Sequence, residues 1–205
     1  MPSLQSIDRY WKPIVFLACL LPLVVLVLRI FMVAGFLSGP NPVEEIQDEL
    51  GIWALRFIML TLAMTPLRYL TGKAWPIRFR RMFGLFAFSY AALHFLNYLL
   101  LDKQLDFGVI LEDVTDRTFI TIGFTALLAL TPLAITSTNK WRRKLVRKWL
   151  TLHKLVYGIG AAACWHFFSS VKLDLTEPLA YCGILAVLLG ARVVHNSRKA
   201  TTATS

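Results

Sequence analysis

Residues 140–171 read KWRRKLVRKWLTLHKLVYGIGAAACWHFFSSV. Positive charge crowds the first nine positions, and after Lys154 no Lys, Arg, Asp or Glu occurs until Lys172. A basic block running into an uncharged apolar stretch is the pattern of a helix entering a bilayer from its positive side. The same stretch holds two histidines, His153 and His166, thirteen positions apart. Lipid penalises polar groups, so a histidine inside a span is a functional candidate by default.

The rest of the chain repeats the pattern. Residues 82–101 and 118–139 carry no charge, 13–28 are charge-free, and Arg56 alone interrupts 50–67. A hydrocarbon core of about 30 Å needs roughly 20 apolar residues. Six transmembrane helices are expected, over about 13–37, 50–68, 82–101, 118–137, 149–171 and 178–194. With 57% hydrophobic residues and a mean hydropathy of +0.59, the 205-residue chain reads as an all-α polytopic membrane protein. No stretch is long enough for a separate soluble domain, so one domain over 1–205 is expected.

Net charge is +10, and its placement decides its meaning. Seventeen of the 22 basic residues fall in the N-terminal segment, the second and fourth loops and the C-terminal tail, opposed there by Asp8 alone. The other loops carry the remaining eleven acids. Positive loops stay cytoplasmic, which predicts both termini inside. Topology therefore accounts for the charge, and no nucleic-acid partner is expected. The first apolar segment exceeds a signal-peptide core and lacks a small-residue cleavage site, so it is expected to persist as a span.

The histidines carry the chemistry. In the fifth span His166 lies about 20 Å further out than His153, at ~1.5 Å per residue. His94, in the third span, is displaced towards the same outer side. His94 and His166 can thus face each other as axial ligands of one haem, and two imidazoles suit electron transfer. His153 would need a partner near the inner face. Arg80, fourteen residues before His94 and about 21 Å lower, has suitable level and direction. It stands as an iron ligand, as the partner of a haem propionate, or simply as a topogenic charge. On a straight helix His153 and His166 point about 140° apart; a bend near Gly158 and Gly160 would reduce the mismatch. One or two b haems are expected, with His94, His153 and His166 on the iron. Arg29 and Arg56 are expected to snorkel to the interface or neutralise a propionate. His195 is expected to be solvated in the tail. Cys19, Cys164 and Cys182 lack the spacing of a metal or disulfide set and read as small buried hydrophobes. No Gly-rich dinucleotide fingerprint or P-loop is present.

Three stretches carry a family resemblance: ITSTNKWRRKLVRKWLTLHKLVYGIGAAACWHFFSSVK at 135–172, IRFRRMFGLFAFSYAALHFLNY at 77–98, and NPVEEIQDELGIWALRFIMLTLAMTPLRYL at 41–70. Together they resemble the MsrQ (YedZ) family of the ferric-reductase-like transmembrane superfamily. The resemblance implies a haem b subunit of the bacterial inner membrane. It implies electrons taken from the quinone pool and passed to MsrP, a periplasmic molybdenum-cofactor protein that reduces methionine sulfoxide. It places the haem histidines on His94, His153 and His166 and adds a possible FMN, for which no motif here gives a site. Ser169 stands where the family often has Trp. The acidic loop 102–117 is a candidate docking surface for such a partner. Two rival readings stay open. One is a ferric-reductase-like protein fed by a cytosolic flavin reductase; the other is a metal or proton transporter using the intramembrane histidines.

Overall fold

The computed structural model describes residues 7–32 and 41–204. Among them are helices and turns, with no strand. A π-helical turn at Ile7–Trp11 leads into α1, Lys12–Met32. The last residues of the first expected span, 33–37, lie outside the described residues.

Helix α2, Pro42–Thr71, is thirty residues long and begins well before the expected 50. Its start is set by capping chemistry. The Asn41 side chain accepts from the Val43 and Glu44 backbone N–H groups, Pro42 opens the first turn, and Glu44 and Glu45 complement the helix dipole. Its stop is Gly72 at φ 65°, left-handed, whose N–H bonds the Arg68 carbonyl. This helix is the axis of the bundle. Of its membrane-length stretch 56% is buried, against 11–22% for the other four helices long and apolar enough to span. Phe57, Ile58 and Leu62 are its innermost side chains.

Helix α3, Ile77–Asn97, packs along α2 and continues through a π-helical turn, Tyr98–Asp102. Its Tyr90 is inserted into α1. The Tyr90 hydroxyl accepts from the Leu23 N–H and donates to the Cys19 carbonyl, each at 3.0 Å. Those two groups would otherwise bond each other in the helical ladder. Pro22 already removes one rung beside them, and the phenol fills the gap.

The loop expected at 102–117 is largely helical. Asp106 caps α4, Phe107–Asp116, by accepting from the Gly108 and Val109 N–H groups. Asp113 points inward. It takes Lys103 at 2.9 Å, Arg117 at 3.0 Å and the Tyr98 hydroxyl at 3.2 Å. Two of the expected docking acids therefore hold the loop together.

Helix α5, Thr118–Ile135, returns to the basic end and packs against α8. The fourth loop contains α6, Asn139–Leu145, and α7, Arg147–Leu152, split by Val146 at φ 45°. The expected fifth span, 149–171, is not one helix. It breaks at His153–Lys154, leaving α8, Leu155–Ser170, with 16 residues. At ~1.5 Å per residue that is about 24 Å, short of the hydrocarbon thickness. Five helices among the described residues reach spanning length rather than six. Helix α9, Thr176–Thr204, closes the bundle against α2 and α8. The helix is interrupted at His153–Lys154, while α8 runs on through Gly158 and Gly160.

Candidate haem-ligand pair

His94 on α3 and His166 on α8 meet at the acidic end of the bundle. Their ring centroids are 6.1 Å apart and their planes cross at 88°. Each ring is oriented by the same device. His94 Nδ1 lies 2.8 Å from the Gln47 carbonyl on α2, and His166 Nδ1 lies 2.7 Å from the Phe119 carbonyl on α5. A carbonyl only accepts, so both Nδ1 atoms carry the proton and both Nε2 atoms keep their lone pairs. Anchoring one ring nitrogen on a backbone carbonyl is how metal-ligating histidines are fixed in tautomer and direction.

A glycine seats each ring. A Cβ on Gly51 would come within 2.9 Å of His94 Cε1 and 3.0 Å of Nδ1. One on Gly123 would come within 2.7 Å of His166 Nδ1 and 2.8 Å of Cε1. The imidazoles therefore lie directly on the neighbouring helix backbone. In both cases the accepting carbonyl is four residues before the glycine and 47 before the histidine. The two half-sites are one helix-pair arrangement used twice, offset by 72 residues along the chain. Sequence reasoning found the histidines but missed Gly51 and Gly123. The shared Gly-to-His interval of 43 positions was the available signal.

The donor set fits haem: two adjacent neutral imidazoles, each fixed in tautomer by a carbonyl, are the side chains that would hold its iron. At His94 a polar chain ends on the ligand nitrogen. Asn97 donates to Gln47 Oε1 at 2.7 Å and to the Val43 carbonyl at 3.2 Å, and the Gln47 amide lies 3.2 Å from His94 Nε2. That amide donates to the same lone pair a metal would take. Asn97 Oδ1 is buried without a partner.

His153 is built differently. It ends the turn between α7 and α8, its ring stacks on Trp149 at 4.0 Å, and its Nε2 lies 3.1 Å from the Thr136 hydroxyl. That hydroxyl donates to the Pro132 carbonyl at 2.6 Å, so it accepts from His153 Nε2–H. The Trp149 indole N–H donates to the Thr136 carbonyl at 2.9 Å and completes the corner. Arg80 is close enough for its charge to act on His153, but it hydrogen-bonds Tyr157. The structure thus joins His94 with His166 and leaves His153 and Arg80 at the other end of the bundle.

The remaining sequence candidates have partners within the chain. Arg29 reaches Glu49 at 3.4 Å. Arg56 donates to the Tyr181 hydroxyl at 2.9 Å and lies 4.7 Å over the Trp53 ring, so it does not simply snorkel. His195, expected in solvent, stacks on Tyr69 at 3.6 Å.

Comparison with known proteins agrees with this architecture. Residues 50–164 match the ferric reductase like transmembrane component family, a span that includes His94 and His153. The chain is 54% identical over 166 residues to the protein-methionine-sulfoxide reductase heme-binding subunit MsrQ of Xanthomonas euvesicatoria, covering 80% of this chain and 76% of that one. It is 47% identical over 197 residues to the protein of the same name from Rhodospirillum rubrum, covering 96% and 93%. A third, from Xanthomonas oryzae strain MAFF 311018, is 54% identical over 154 residues, 75% of this chain and 71% of that one. With a paired-histidine bundle and near-full-length relatives of one name, this chain belongs to the MsrQ family of ferric-reductase-like transmembrane proteins.

Proposed function

We propose that the chain is a haem b electron-transfer subunit, one ferric-reductase-like domain in the bacterial inner membrane. It accepts electrons from the quinone pool and serves a periplasmic, molybdenum-containing MsrP-type reductase that repairs methionine sulfoxide in oxidised proteins. The observation that carries this reading is the His94–His166 pair, with both Nδ1 atoms committed to backbone carbonyls and both Nε2 atoms left as acceptors, the one on His94 taken by the Gln47 amide that a metal would displace. Haem b, held by His94 and His166, would supply a one-electron carrier.

The protein's own part is placement. Carbonyls and glycines of α2 and α5 seat the imidazoles, and at His94 the Gln47 side chain adds a further contact. The basic loops put the opposite end of the bundle in the cytoplasm, so the pair lies in the periplasmic half. His166 is four residues from the end of α8, where a periplasmic partner would dock. The pair accounts for one haem; a second, on His153, would have to displace the Thr136 hydroxyl from its Nε2. The MsrQ names of the relatives support the partner, whose oxidised-methionine chemistry this chain itself shows no site for among its described residues.

A reduced-minus-oxidised spectrum of the purified chain, with a pyridine haemochrome count, tests the proposal. One b haem per chain, lost in His94→Ala and His166→Ala and kept in His153→Ala, is expected. A chain that stays colourless after haem supplementation would sink it in favour of a transporter.

A further inference from the structure

At the basic end of the bundle lies a second polar site. A cavity of about 530 Å³ is lined by Thr65, Tyr69, Arg80, Tyr157, Arg192 and Asn196. Arg192 on α9 is 7% exposed. It donates to the Tyr157 hydroxyl and to the Leu62 carbonyl, while its Nε is buried without a partner. Arg80 also bonds Tyr157 and feels the charge of Arg192. Thr65 Oγ1 is a further buried atom without a partner. The His195 ring, stacked on Tyr69, covers one side.

Two guanidinium charges therefore share one cavity. Burying a charge is costly unless it is paired, and two like charges add repulsion. Elsewhere Arg29 has Glu49 and Arg117 has Asp113, while Arg56 rests on a tyrosine hydroxyl and a tryptophan face; here two guanidinium groups lie together. Among the described residues no carboxylate lies within ion-pair distance of Arg80 or Arg192. The sequence has none to offer at this end except Asp8. An anion from outside the chain would compensate both charges at once.

Its chemistry follows from the walls. Guanidinium forks match the oxygens of a phosphate, and Tyr157, bonded to both, holds them in one orientation. Leu189 and Val193 supply an apolar wall beside the charges, so the ligand is amphiphilic. Tyr69 lies two residues from the end of α2 and Arg80 three past the start of α3, the level of lipid headgroups. Fourteen residues of α3, about 21 Å of helix, separate Arg80 from His94, so this cavity is distinct from the histidine pair. We propose that Arg80 and Arg192 form a binding site for the phosphate of an anionic phospholipid of the cytoplasmic leaflet. Basic pockets between spanning helices on that side commonly take such headgroups. The inference rests on the membrane orientation proposed above and is independent of the haem.

Native mass spectrometry of the full chain released from mixed micelles tests it. Phosphatidylglycerol should be retained roughly tenfold over phosphatidylcholine of the same acyl chains. Arg192→Gln should bring the two lipids to parity, and Arg192→Lys, which keeps charge but loses the fork, should fall between. Should Arg192→Gln fail to fold, Arg80→Gln reports on the same cavity from a less buried position. Inorganic phosphate that displaces the lipid, or saturates the site in its place, upholds the phosphate chemistry and assigns a soluble source. Equal retention of both lipids by the unaltered chain, or an undiminished preference in both glutamine variants, overturns the proposal. Neither variant touches His94 or His166, so failure here leaves the haem spectrum to stand or fall separately.

Discussion

His94 and His166 face each other across two helix pairs of the same construction, 6.1 Å between ring centres and close to perpendicular. Each is oriented by a carbonyl and seated by a glycine on a partner helix, so neither depends on a rotamer that thermal motion could easily change.

The glycines give a sharp test. Gly51→Ala and Gly123→Ala put a methyl where an imidazole now lies, with helix backbone on the other side. Displacing the ring moves Nε2 off its line. Haem affinity should fall about 10–100-fold, as for other outer-shell changes at metal sites, while helical content by circular dichroism stays intact. Titration of the apo-protein with haemin would measure it.

Tyr90→Phe removes a hydroxyl that satisfies two backbone groups of α1. Because Leu23 N–H and the Cys19 carbonyl can then close their own helical rung, the loss should be about 1 kcal/mol, the net worth of the tie between α3 and α1. The loss would register as a lower unfolding midpoint in mixed micelles, with the haem spectrum unchanged in position.

Thr136→Val removes the acceptor for His153 Nε2–H and part of the corner that Trp149 closes. A loss of about 1 kcal/mol is expected, with one haem still bound per chain. A drop in haem count would instead mean that His153 is a ligand held in place by Thr136.

The outer loop should respond to acid. Burial alone would raise the Asp113 carboxyl, but the hydrogen bond and charge of Lys103, then Arg117 and Tyr98, bring it below its ordinary 3.8. The Asp113 hydrogen bond in turn raises Lys103 above 10.5. A depressed acid contributes stability that is present above its unfolded value, near 3.9, and lost as pH falls through the folded one. The raised lysine contributes below 10.5 and loses its share as pH climbs through its folded value. The unaltered chain should therefore unfold at a higher temperature than Asp113→Asn at pH 7, and the gap should close below about pH 4.

Much of this was legible in the sequence because bilayer physics writes in long runs. Charge-free stretches placed α1, α3 and α5, and loop charge gave an orientation. The depth of His94 against His166 came from residue counting alone, since a helix advances by a fixed rise. What escaped were features that depend on side-chain chemistry at ends and corners. Asn41 and Pro42 start α2 eight residues early, because caps act on a few atoms and leave no periodic trace. The break at His153 was hidden by apolar residues on both sides. It is visible only through Thr136, seventeen residues away. His195 looked like tail, and its stacking on Tyr69 depends on where two distant helices finish.

The shortness of α8 has a kinetic meaning. His166 stands one turn, about 6 Å, from the helix's outer end. A redox centre carried there is separated from the aqueous phase by a barrier only a few atoms thick. Tunnelling falls off steeply with distance, so on the function proposed above this end of the bundle is where an electron would leave, and a partner would need only to settle on the surface to receive it. The same thin wall admits other oxidants. Protection from wasteful discharge would then come from how often the partner covers the exit, making occupancy of that face, rather than the depth of the membrane, the gate on electron flow.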